Sequence, residues 1–145
     1  MRRPLARGLV AGLLAAVVAG AAAAQAPGAS VQGAWARAQP NRMLMSALYF
    51  VLINRTHAPV TLHRVSCEGV RMATLHETVD SAGIMQMVPF DSLVVPANGR
   101  LVFQPGGYHA MLMGLSAPLK PGGRLACALV VGASRPVHFT AQVRR

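Results

Sequence analysis

Two histidines and two methionines set the chemistry open to this chain. His76 is followed after ten residues by Met87, and after twenty-one more by His109, with Met111 one residue beyond. Imidazole nitrogen and thioether sulfur suit a soft, monovalent metal, above all Cu(I). On an extended strand, residues two apart face the same way. His109, Met111 and Met113 therefore share one face of YHAMLMG, and Met85 and Met87 share one face of IMQM. Tyr108, Ala110 and Leu112 are expected to point the other way, toward a core. Met85 and Met113 are thus candidate auxiliary ligands.

Each of these residues also has an ordinary reading. Methionine is a common filler of cores, and His57, His63 and His138 are expected to be solvated or hydrogen-bonded side chains. Met43 and Met45 are a candidate auxiliary soft patch near the second strand, with ordinary packing as the default reading. Glu77 and Asp80 lie close to His76, where a carboxylate can orient a ligating ring, although solvated carboxylates are the default.

These side chains need a frame. The chain has 145 residues and a formal charge of +10, enough for one domain. MRRPLAR followed by GLVAGLLAAVVAGAAAA reads as a helical export signal, residues 1–24, cut after Ala22-Ala23-Ala24. A second cleavage candidate follows Ala24-Gln25-Ala26, and a retained membrane anchor is the alternative. Residues 25–32 read as a flexible lead-in, and 33–145 as the folded domain. The basic residues are scattered and not interleaved with aromatics, which argues against nucleic acid as a partner. No membrane attachment is expected after cleavage, and the domain is expected to be a monomer. Export implies an oxidising, periplasmic setting, in which Cys67 and Cys127 are either a disulfide or two buried thiols. Sequence alone leaves that pair open.

Past the signal, turn residues recur every eight to twelve positions between β-prone runs. Strands are expected at 31–37, 46–54, 60–66, 72–79, 84–88, 92–95, 100–104, 108–114, 124–131 and 137–144. Trp35 is expected to anchor the first of them. SALYFVLIN reads as a strand buried on both faces. Val137, Phe139, Ala141 and Val143 alternate with polar neighbours in the last strand. The pattern predicts an all-β, antiparallel sandwich or barrel.

Taken together, His76-x10-Met87-x21-His109-x-Met111 resembles the signature of the periplasmic copper chaperones of the PCu(A)C family. Trp35-Ala36-Arg37, LHET at 75–78, VVPANG at 94–99 and PGGYHAMLMGL at 105–115 extend the similarity over residues 33–143. The resemblance implies a cupredoxin-like antiparallel β-sandwich of Greek-key type. It implies one Cu(I) held by His76, Met87, His109 and Met111. It also implies delivery to the copper centre of cytochrome c oxidase, at subunit II, directly or through a thioredoxin-like copper-transfer protein. Family members often carry methionine two residues after the first histidine, where this chain has Thr78. The cysteine pair is not part of the pattern.

Four other readings compete. A blue-copper electron carrier needs a Cys thiolate beside two His, and neither Cys67 nor Cys127 has a histidine within a few residues downstream. An enzyme would need a nucleophile with a base, paired carboxylates or a phosphate loop, and none is legible. Copper storage or resistance, and a metal-free β-sandwich interaction domain, remain as alternatives.

Overall fold

The computed structural model describes residues 28–41, 43–133 and 135–145. The expected export signal, the helix expected for it and the first three residues of the expected lead-in lie outside them. Ten strands make up the described chain: β1 (Ala29–Arg37), β2 (Met45–Asn54), β3 (Val60–Cys67), β4 (Val70–Ser81), β5 (Ile84–Phe90), β6 (Leu93–Val95), β7 (Arg100–Phe103), β8 (Tyr108–Leu115), β9 (Arg124–Val131) and β10 (Val137–Arg144). They form one open hydrogen-bonded sheet in the order β5-β4-β8-β7-β2-β1-β10-β9-β3-β6.

The class is all-β, as the turn spacing predicts, and most pairings are antiparallel. Two are not: β1 runs parallel to β10, and β7 parallel to β8. A tight hairpin joins only antiparallel neighbours. These two pairs instead bring together the first and last described strands, and two strands separated by the turn that holds Pro105–Gly107.

Alternation decides what each strand buries. Leu48, Phe50 and Leu52 of β2 share a cluster with Leu62 and Val65 of β3, Leu75 of β4, Ala110 and Leu112 of β8, and Leu125 and Leu129 of β9. Phe50 stacks on Phe103 at 4.3 Å between ring centroids. Side chains from both halves of the sheet therefore fill one core. Asn54 is a fully buried polar residue there. Its Nδ2 donates to the carbonyls of Ala58, Val95 and Pro96, and its Oδ1 accepts from Thr56. A buried amide so satisfied ties the 55–59 turn to β6 without the penalty of an unpaired polar group.

Three expectations change. β1 begins at Ala29, inside the stretch read as a flexible lead-in, because residues 29–32 pair with Asn54–Val51 of β2. Ala29 and Ser30 carry no strand signal of their own, and the backbone ladder supplies it. A bulge between Gln32 and Trp35 follows, with Gly33 at φ +60°. β2 is buried unevenly: Leu48, Phe50 and Leu52 are fully enclosed on one face, whereas on the other Tyr49 is buried, Ala47, Val51 and Ile53 are half-buried and Met45 is exposed. β5 continues through Pro89 to Phe90. It lies at the sheet edge, where a proline removes no ladder bond that a neighbour needs.

Cys67 and Cys127 face each other across β3 and β9 and are bonded. The choice left open by the sequence is settled in favour of the disulfide, and no free thiol remains.

Candidate metal centre

β8 is the spine of the site. It pairs with β4 on one side and β2 on the other. In an antiparallel pair, directly opposed residues project to the same face. The register sets His76 opposite His109, Thr74 opposite Met111, and Ala47 opposite Met111 from the other side. The edge strand β5 then sets Met87 opposite Thr78. Since Thr78 lies two residues from His76, Met87 joins the same face. Residues 33 positions apart along the chain thus become neighbours, with the His76 and His109 rings 5.7 Å apart and 17° from parallel.

On this face opens a cavity of about 380 Å³, lined by Met87, His109 and Met111, with Thr78, Tyr49 and Arg37 around them. His76 is outside its lining and meets it through the His109 ring. Met87 is 60% exposed, whereas His109 is only 4% exposed. The strand alternation predicts a surface position for His109, and the structure buries it. Strands flank β8 on both sides, the His76 ring lies beside that of His109, and Tyr49 lines the same cavity.

The buried ring is half satisfied. Nδ1–H of His109 donates to the Gly107 carbonyl at 3.1 Å. That bond assigns the proton to Nδ1 and leaves the lone pair on Nε2. Nε2 is buried and has no hydrogen-bond partner. An orphaned buried acceptor costs about 1–3 kcal/mol, so the fold maintains an unmet electron pair at the wall of an open cavity. The Gly107 carbonyl that orients the ring also accepts from Thr78 N at 3.1 Å. Gly106, at φ +80°, turns the chain so that this carbonyl is available.

The carboxylates near His76 do not orient it. Asp80 Oδ1 accepts from Gly83 N at 2.7 Å and holds the β4–β5 turn. Glu77 alternates to the opposite face of β4. Thr74 Oγ1, 3.4 Å from His76 Nδ1, is the polar group beside that ring. Among the described residues, no three His, Cys, Asp or Glu side chains gather closely enough to hold a metal. A metal on this face must draw on the thioethers.

The cavity also uses residues that the sequence alone did not single out. Arg37 and Tyr49 come from β1 and β2, far along the chain, and Tyr49 is held by Trp35 at 4.5 Å between ring centroids. The period-two step from Ala47 to Tyr49 carried the signal for Tyr49, hidden within a stretch that read as apolar throughout, and Arg37 stood in the Trp35-Ala36-Arg37 similarity without an assigned place. Met43 and Met45 line the same cavity. Met85 lies one step farther out on β5, opposite Asp80, and Met113 lies beyond Met111 on β8.

Comparison with known proteins agrees with this architecture. The family model described as "Putative lipoprotein LpqE-like" matches residues 29–143. The protein named "Putative lipoprotein Lxx21020" from Leifsonia xyli subsp. xyli is 30% identical over 135 residues, covering 89% of this chain and 80% of its own. The copper-bound PCuAC domain from PmoF2 superposes with a TM-score of 0.70 at 23% identity, over 82% of this chain and 94% of that domain. The solution structure of CuI-DR1885 from Deinococcus radiodurans is 32% identical with a TM-score of 0.62, over 84% of this chain and 81% of that one. From Ala29 to Val143, then, the described domain belongs to the LpqE-like family, whose fold is that of the PCu(A)C domains it resembles in sequence.

Proposed function

We propose that this domain is an exported carrier of Cu(I), holding one ion through His76, Met87, His109 and Met111. The observation that carries it is the buried, unpartnered Nε2 of His109 at the wall of a cavity shared with Met87 and Met111. A soft monovalent ion fits this donor set, because two imidazoles and two thioethers offer neutral nitrogen and sulfur without thiolate. The only two cysteines are locked in a disulfide on a different strand pair. Thioethers keep a preference for reduced copper without the oxidative exposure of a thiolate. They also bind less tightly, which suits an ion that must be released.

The surroundings support transfer. Met87 on the edge strand and Met43 before β2 are exposed apolar side chains that line the cavity, and exposed Met85 shares the face of Met87. Contiguous exposed apolar surface marks a docking face. A partner seated there reaches the ion by ligand exchange, with no change in its oxidation state. CuI-DR1885 and the copper-bound PmoF2 domain share the fold. The recipient we assign is the copper centre of cytochrome c oxidase subunit II, directly or through a thioredoxin-like copper-transfer protein in the periplasm. Copper storage or resistance uses the same ligands and differs in the recipient alone.

Competition with a chromophoric Cu(I) chelator tests the site. The wild type is expected to withdraw one equivalent, and His109→Ala and His76→Ala to lose at least about tenfold in affinity, or 1.4 kcal/mol. A wild type unable to compete, or a His109→Ala variant as tight as wild type, overturns the assignment. Oxidase activity at low copper in a strain lacking the protein separates delivery from storage.

A further inference from the structure

Two residues past Met111 on β8, Met113 has a methionine directly opposite on each neighbouring strand. The register pairs Met113 with Met45 of β2 and with Met72 of β4. Three thioethers therefore lie in one row across three adjacent strands, on the face that carries His109 and Met111. We propose that Met45, Met113 and Met72 form a second soft-metal site, taking Cu(I) or another soft monovalent ion such as Ag(I). It uses none of the four residues assigned above, so it stands or falls separately from them.

Core packing does not account for the row. Met45 is 47% exposed and Met72 is 51% exposed, and neither belongs to the hydrophobic core. Neighbouring strands are ~4.8 Å apart, so the outer two backbones lie ~10 Å from each other with Met113 midway. Methionine has three rotatable bonds and no branch. The outer two side chains are free to lean inward, and all three sulfurs can meet above the middle strand. Three neutral thioethers without oxygen or charge select a soft ion over a hard one.

The backbone holds this row at the mouth of the first site. Gly114 N and Leu115 N both donate to the Leu44 carbonyl, at 2.8 and 3.2 Å, which pins the start of β2 beside Met113. Gly114 has φ +67°, and a Cβ there would stand 2.6 Å from Arg71 Cβ. Glycine at this point lets β8 pass closely between its neighbours. The row lies ~7 Å along the strand from Met111 and ~14 Å from His109. Met45 lines the cavity that Met111 and His109 also line, which makes the row a staging post. An ion caught by thioethers at the exposed lip exchanges onto Met111 and then onto the imidazoles within.

Ag(I), a redox-inert stand-in for Cu(I), tests the row when added to protein carrying 13C-labelled methionine methyls. In the wild type, a second equivalent is expected to shift the Met45, Met72 and Met113 methyls together, after a first equivalent has shifted Met87 and Met111. In the His76→Ala, His109→Ala double variant the three should still move together. Met72→Leu, at a half-exposed position outside the lining of the first cavity, should remove the second equivalent and leave the first, with the fold unaltered. Three methyls that stay still in the histidine variant, or that move independently of one another, overturn the site. So do shifts that occur only with the first equivalent, since those describe one extended centre. Silent Met87 and Met111 methyls in the wild type would instead count against the His–Met centre and leave the row to be judged on its own signals.

Discussion

His76 and His109 face each other across β4 and β8 with their rings 5.7 Å apart. Their contributions differ. His109 is enclosed and aimed by the Gly107 carbonyl, while His76 is less buried and has only the distant Thr74 hydroxyl beside its Nδ1. One imidazole is preorganised and the other is free to adjust. This division suits a carrier, because a preset ligand supplies affinity and a mobile one opens the way out.

The two thioethers should separate in the same manner. Met87 sits on the edge strand and is 60% exposed, whereas Met111 is half-buried beside Ala47 and Thr74. Leucine conserves volume at both positions. Met87→Leu is expected to leave the melting temperature unchanged and to weaken Cu(I) by about tenfold, near 1.4 kcal/mol. Met111→Leu should weaken it as much and also change the packing of the cavity wall. Chelator competition alongside thermal unfolding reads both. Equal Cu(I) affinity in wild type and Met87→Leu would remove the edge strand from the site.

Protons compete with copper for imidazole, since a protonated ring has no lone pair to give. Cu(I) affinity should therefore fall as the solution is acidified, and the slope counts the histidines. With two in the site, the acid limit approaches about a hundredfold per pH unit, against about tenfold in His76→Ala. Titrations at several pH values check this. A flat profile would leave the ion on sulfur alone.

Much of this frame was legible in the sequence. Proline and glycine clusters such as Pro96-Ala97-Asn98-Gly99 and Lys120-Pro121-Gly122-Gly123 bound the strands. Arg124–Val131 and Val137–Arg144 have the limits expected from the sequence, the first from the turn before it and the second from its alternation. Alternation also told the core side of β8, Ala110 and Leu112, from the His109 side. Strand pairing was not legible, because period two gives a residue's face but not its neighbour. Hence the enclosure of His109, the approach of Tyr49 and Arg37, and the meeting of Met45 with Met113 and Met72 appear only once β2 and β4 flank β8. The Cys67–Cys127 bond depends on the same missing information, the β3–β9 register.

That bond should matter for stability and not for copper. It joins residues 60 apart in the chain. On the chain-entropy account, closing such a loop removes about 4 kcal/mol of unfolded-state freedom. Cys67→Ser with Cys127→Ser, or reduction of the wild type, should lower the melting temperature by more than about 10 °C. Cu(I) stoichiometry below the new transition should be unchanged. A drop in stoichiometry in the folded double variant would tie the cysteines to the metal and contradict their placement on β3 and β9.

Thr78 offers a gain of function. It stands directly opposite Met87 and lines the cavity with it. A methionine there would put a third thioether within reach of the ion, on a strand position that is half-buried and open toward the cavity. The longer side chain extends into empty volume, so overpacking is not expected. Thr78→Met should tighten Cu(I) by several-fold, toward the tenfold that 1.4 kcal/mol represents, and should slow its release to a competing chelator. The gain should vanish in His109→Ala if the new sulfur shares the ion with that ring. Tighter binding that survives loss of His109 would mean that the introduced thioether and Met87 bind the ion by themselves, away from the buried imidazole.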